Sequence, residues 1–114
     1  MNHPLYRTML AGCSIVALAA VFAVPVHAQD AATLFRSRCS MCHGPDGSGS
    51  AVGKSLGAPD LRSKAVQSQT DKQLTDVIAY GKGQMPPNSG KLTDAQITQL
   101  VKYVRGLAKD GKKK

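Results

Sequence analysis

Cys39-Ser40-Met41-Cys42-His43 sets two cysteines and a histidine within five residues. Cysteines three apart on one helical turn project to the same side and can reach the two vinyl groups on one edge of a porphyrin. His43 is then carried beneath the ring, where an imidazole nitrogen can meet an iron. This is the Cys-x-x-Cys-His pattern of covalent haem c attachment. Two other readings compete. A thioredoxin-like dithiol needs a preceding strand and a surrounding sheet, and the flanking residues show neither. A zinc site wants four ligands, whereas only two cysteines and one histidine follow residue 28.

Upstream, residues 1–28 read as an export signal. Arg7 gives a positive lead, 18 residues from Met9 to Val26 carry no charge, and Val26-His27-Ala28 forms a cleavage triplet ahead of Gln29. An uncharged run of this length is only just long enough to span a bilayer, so a retained anchor is the alternative; Pro25 and the triplet argue against it. Leu10-Ala11-Gly12-Cys13 resembles a lipoprotein box, but most of the apolar run follows Cys13 instead of preceding it.

Removing 28 of 114 residues leaves 86, enough for one domain at 29–108 and a basic flexible tail at 109–114. Phe35, Tyr80 and Tyr103 are the aromatic residues of that part. A chain so small and so poor in aromatics needs a staple, and a cofactor bound through the two cysteines supplies it. Its charge, 14 Lys/Arg against 7 Asp, is +7. The basic residues are scattered singly apart from Lys112–Lys114, which disfavours nucleic acid. An acidic protein surface, or transiently an anionic membrane face, is the expected partner.

The pattern predicts an all-α domain with three main helices. Asp30 caps a first helix carrying Ala31, Leu34 and Phe35 at helical spacing and leading into Cys39. From Gly44 to Pro59 the chain holds five glycines and two prolines. That is the composition of a long loop, which a compact domain tolerates when it wraps something. Thr70 and Gln73 form a capping box for a second helix with Leu74, Val77 and Ile78 on one face, stopped by Gly81 and Gly83. Thr93 and Gln96 form another, with Leu92 and Ile97 as a hydrophobic staple. The last helix buries Ile97, Leu100, Val101, Val104 and Leu107 and ends after residue 108. Tyr103 lies off that stripe and is expected to face the first helix.

A haem iron with a proximal histidine needs a sixth ligand to act as a simple electron carrier. His3 and His27 leave with the signal. Met41 sits inside the attachment turn and cannot cross to the other face. Met85, on the proline-stiffened loop Gln84-Met85-Pro86-Pro87-Asn88, remains as the axial candidate, in place of an ordinary core role for a lone methionine. Ser48-Gly49-Ser50-Ala51-Val52-Gly53-Lys54-Ser55 ends like a phosphate-binding loop, but Ser48 stands where the first glycine belongs and no strand precedes it.

Beyond the five-residue motif, the chain resembles the class I c-type cytochromes of the short monohaem bacterial and photosynthetic kind. The resemblance rests on residues 39–49, on Gly-Ala-Pro-Asp-Leu at 57–61 and on Ile-Ala-Tyr-Gly-Lys-Gly-Gln-Met-Pro-Pro at 78–87. Leu-Thr-Asp-Ala-Gln-Ile at 92–97 and Leu-Val-Lys-Tyr-Val-Arg at 100–105 complete it. It implies a small fold of helices and long loops wrapped around one covalently bound haem c and its iron. It further implies that the Pro59 carbonyl accepts the second ring hydrogen of His43, that Leu61 packs on the haem, and that Met85 is the sixth ligand. Ala31 and Phe35 would cross the last helix near Leu100 and Tyr103, and Tyr80 would line the crevice or bond near the methionine loop.

The expected function is a periplasmic or lumenal single-electron carrier with no catalytic residues, steered towards redox proteins by lysines such as Lys54, Lys82 and Lys91. Two alternatives stand beside it. One is a haem-binding sensor or weak peroxidase without methionine ligation. The other is a cytochrome subunit tethered to one dehydrogenase or oxidase.

Overall fold

The computed structural model describes residues 30–111, so the expected export signal and residues 112–114 of the expected tail lie outside the described residues. Six α-helices follow in order: α1 (Ala31–Leu34), α2 (Ser40–His43), α3 (Ala51–Ser55), α4 (Lys64–Gln67), α5 (Asp71–Tyr80) and α6 (Asp94–Asp110). A π-helical turn, Phe35–Cys39, joins α1 to α2. No strand occurs among the described residues, only two isolated bridges, Lys82 with Met85 and Ser89 with Leu92. The domain is all-α, as the sequence pattern requires.

Local chemistry explains where the helices begin. Asp30 accepts from the Thr33 amide at 2.9 Å and so caps α1. Thr70 with Gln73 and Thr93 with Gln96 each form complete reciprocal capping boxes. The staple residues Leu92 and Ile97 are both buried. Helix α6 buries the five apolar residues its spacing predicts and runs on to Asp110, where the Gly111 amide bonds back to the Leu107 and Lys109 carbonyls.

Two of the departures from the sequence reading bear on the site. The first helical run does lead into Cys39, but through a π turn: the Ser40 amide bonds to the Phe35 carbonyl, and this wider turn takes up an extra residue before Cys39. Leu34 and Phe35 are both buried ahead of it. The glycine-rich stretch 44–59 also contains a helix, α3, because Ser50 caps it by accepting from the Gly53 amide.

The core has two adjoining parts. Leu34, Phe35, Ala79, Leu92, Ile97, Leu100 and Leu107 form one; Val66, Leu74, Val101 and Val104 form the other; Leu61 and Ile78 pack against both. Leu34, Phe35 and Leu100 are the most completely enclosed, each contributing about 1.5–3 kcal/mol by burial. The Phe35 and Tyr103 rings meet with centroids 5.0 Å apart, so Tyr103 does face the first helical segment. Arg105 clamps the α4–α5 connection onto α6, donating to the Gln67 carbonyl at 2.8 Å and to Asp71 Oδ1 at 3.0 Å.

Candidate functional site

The π turn delivers Cys39, and α2 carries Cys42 and His43. Both cysteines are free thiols, half-buried. Cys39 packs against the larger core cluster. Burial pushes its thiol above the ordinary range, against the opposing pull of the Arg38 charge. Burial likewise holds the His43 imidazole below its ordinary 6.5, so the ring is neutral near pH 7 and has a lone pair to give to a metal.

His43 Nδ1 is buried and has no hydrogen-bond partner, the single such side-chain atom among the described residues. The bond to the Pro59 carbonyl that the resemblance implies is not made here. Pro59 itself is exposed, on the connection between α3 and Leu61. Leu61 is half-buried, and its amide donates to the Gly47 carbonyl at 2.8 Å, which ties this connection to the segment after His43.

Met85 is half-buried in a tight loop. Its amide donates to the Lys82 carbonyl at 3.0 Å, and its own carbonyl accepts from the Lys82 amide at 3.2 Å. Asn88 ties the loop to the end of α5: its amide donates to the Ala79 carbonyl at 3.0 Å, and its side chain to the Ile78 carbonyl at 3.1 Å. Gly81, at φ +78°, leaves no room for a side chain, since a Cβ there would lie 2.4 Å from the Met85 carbonyl oxygen.

Met41, Val52, Leu56 and Tyr80 are large apolar side chains left exposed, at 77, 54, 48 and 71%. They flank the attachment turn and the methionine loop in the chain. Uncovered apolar side chains, two free thiols and a half-buried neutral imidazole form the donor and surface chemistry that a covalently held porphyrin satisfies. A surface groove of about 340 Å³ elsewhere, lined by Ala31, Tyr103 and Gly106 among others, contains none of these residues. Among the described residues no group of three or more His, Cys, Asp or Glu side chains could hold a metal by itself. The supporting residues Ser50 and Gly53, which grip the attachment turn, were not singled out by sequence reasoning. Their signal is a helix-capping serine three residues before a glycine.

Residues 27–104 match the family model described as cytochrome c oxidase, cbb3-type, subunit III. The chain is 36% identical over 80 residues to the cbb3-type cytochrome c oxidase subunit CcoP of Cereibacter sphaeroides, covering 68% of this chain but only 27% of that subunit. It is 32% identical over 113 residues to cytochrome c6 of Picosynechococcus, covering 90% of this chain and 97% of that protein. The solved structure of the c-type cytochrome KustC0563 superposes with a TM-score of 0.65 at 32% identity, over 68% of this chain and 96% of its own. With the attachment turn and the all-α fold, these likenesses place the chain in the class I c-type cytochromes, whose cofactor is covalently bound haem c with iron.

Proposed function

We propose that the protein is an exported monohaem carrier that passes single electrons between redox enzymes. The observation that carries this reading is the pairing of a Cys-x-x-Cys-His turn, whose half-buried imidazole is neutral, with a separate methionine loop held in a defined shape. When bound, haem c supplies a one-electron ferric–ferrous couple at neutral pH. Cys39 and Cys42 would hold it through thioethers, His43 and Met85 would be the iron ligands, and Leu61 would pack against it. A sulfur ligand opposite an imidazole favours the reduced iron and raises the potential.

The chain's own part in this is to hold ligands still and keep water out. With His43 and Met85 as the iron ligands, no site for substrate would be required, and we assign no catalytic residue. Lys54, Lys82 and Lys91 are exposed and take part in no ion pair among the described residues. They would steer an acidic partner, giving an association rate that falls with ionic strength.

The test is optical. The ferric protein should show the sulfur-to-iron charge-transfer band, and the ferrous protein should resist carbon monoxide. Loss of that band together with ready carbon monoxide binding would favour the sensor or peroxidase reading. The likeness to CcoP keeps a second reading in play, a domain working within an oxidase complex. The nearly end-to-end match to cytochrome c6 supports a free carrier in the periplasm or lumen. Among the described residues no helix is long and apolar enough to cross a membrane. Recovery in the soluble periplasmic extract supports the free carrier; recovery with a membrane complex supports the subunit.

A further inference from the structure

We propose that Ser50 is a positioning residue for the His43 ring, acting through the backbone of the attachment turn. Helix α2 is four residues long, and a helix end leaves its last carbonyls without intrahelical partners. Here the segment after His43 takes them all. The Ser50 hydroxyl donates to the Met41 carbonyl at 2.6 Å and lies 3.1 Å from the Cys42 carbonyl. The Ser50 amide donates to the Cys42 carbonyl at 3.0 Å, and the Gly49 amide to the His43 carbonyl at 2.7 Å.

The same hydroxyl oxygen accepts from the Gly53 amide at 3.0 Å. One side chain therefore caps α3 and secures α2, using its single hydrogen for one and a lone pair for the other. Gly53 brings α3 so close that a Cβ there would lie 1.7 Å from the Cys42 carbonyl oxygen. The stretch that ends like a phosphate-binding loop thus grips the turn instead.

This grip matters because the backbone of the turn carries the His43 ring, and the direction of Nε2 follows that backbone. A turn whose carbonyls reach for water would let that direction wander.

The inference rests on His43 being the iron ligand, and its test separates the two. The measurements are the paramagnetically shifted His43 ring resonances of the ferric holoprotein, and amide exchange at Gly53. In Ser50→Ala the ring resonances should move or broaden, and Gly53 should exchange about fivefold faster, as expected for a lost cap. Ser50→Thr keeps both the donor and the acceptor and should restore both readouts. Ser50→Asp can cap α3 but cannot donate to the Met41 carbonyl, so it should protect Gly53 and still displace the ring resonances. If Ser50→Ala yields no holoprotein, the Thr and Asp variants decide the matter. Ser55→Ala, which removes a hydroxyl bonded only to the Val52 carbonyl within α3, should leave the ring resonances alone. Ring resonances unchanged in Ser50→Asp would overturn the proposal while leaving the ligand intact. Absence of any iron-shifted histidine resonance in the unaltered protein would overturn the ligand assignment and, with it, the proposal.

Discussion

Gly81 shows how much a single Cα can decide. Its φ of +78° suits glycine, and any Cβ would press on the Met85 carbonyl and on Pro87. Gly81→Ala should cost about 1–3 kcal/mol by overpacking and backbone strain. Because the strain falls on the loop that presents Met85, the sulfur-to-iron band should weaken well below the temperature of global unfolding. A variant that simply melts earlier, with its band intact until then, would separate this glycine from axial ligation. Asp60 acts through charge. The Arg62 guanidinium grips its carboxylate twice, at 3.0 Å each, and holds it below the ordinary 3.8. A carboxylate with a depressed folded pKa adds stability above the unfolded value, and that stability is lost as pH falls through the folded one. The melting temperature should therefore drop below pH 3.8 by less in Asp60→Asn than in the parent. An identical drop in both would remove Asp60 from the acid limb.

At the level of elements, what could be read in advance followed from how local each cause is. The caps at Thr70 and Thr93 need only residues three apart, so their helices were legible from a few letters. The Cys39–His43 spacing was legible for the same reason. The π turn was not, because it follows from burying Leu34 and Phe35 together against α6, a tertiary demand that outweighs local preference. Helix α3 was hidden by its glycine content; Gly53 is there for close approach to Cys42, which only the folded chain reveals. Spacing alone singled out Cys39, Cys42 and His43, Pro59 and Leu61 came only through the family resemblance, and the unpartnered Nδ1 of His43 shows only in the folded chain. Arg105 offers a test at this scale. It joins α6 to two carbonyls and a carboxylate across the α4–α5 connection. Arg105→Ala should cost about 2 kcal/mol, as for hydrogen bonds to a charged group. Arg105→Lys should recover little, since an ammonium cannot span the same fork. Denaturant midpoints at constant slope would check both; full recovery by lysine would mean that charge alone sufficed.

For the molecule as a whole, the enclosed apolar set is small and several large apolar residues stay uncovered. A protein of this size with so little interior depends on its cofactor for stability. Cys39→Ala combined with Cys42→Ala, which prevents covalent attachment, should leave a largely unfolded chain by circular dichroism. Native-like helicity in that variant would show that the helices stand without haem. The apolar stripes of α5 and α6 were plain in the sequence; how little they enclose by themselves was not.

The contact between Phe35 and Tyr103 makes the fold a clasped ring, with both ends of the domain held in one buckle and everything else threaded between them. Once such a ring is closed, lengthening it costs only about 0.6 kcal/mol for each doubling of the enclosed loop. Gly57 is a natural place to let out the strap, since nothing lies within 4 Å of where its side chain would be. A few extra glycine and serine residues there should shift the melting temperature far less than a single cavity at Phe35. The buckle, more than the strap, would then set how far the length of this protein can vary.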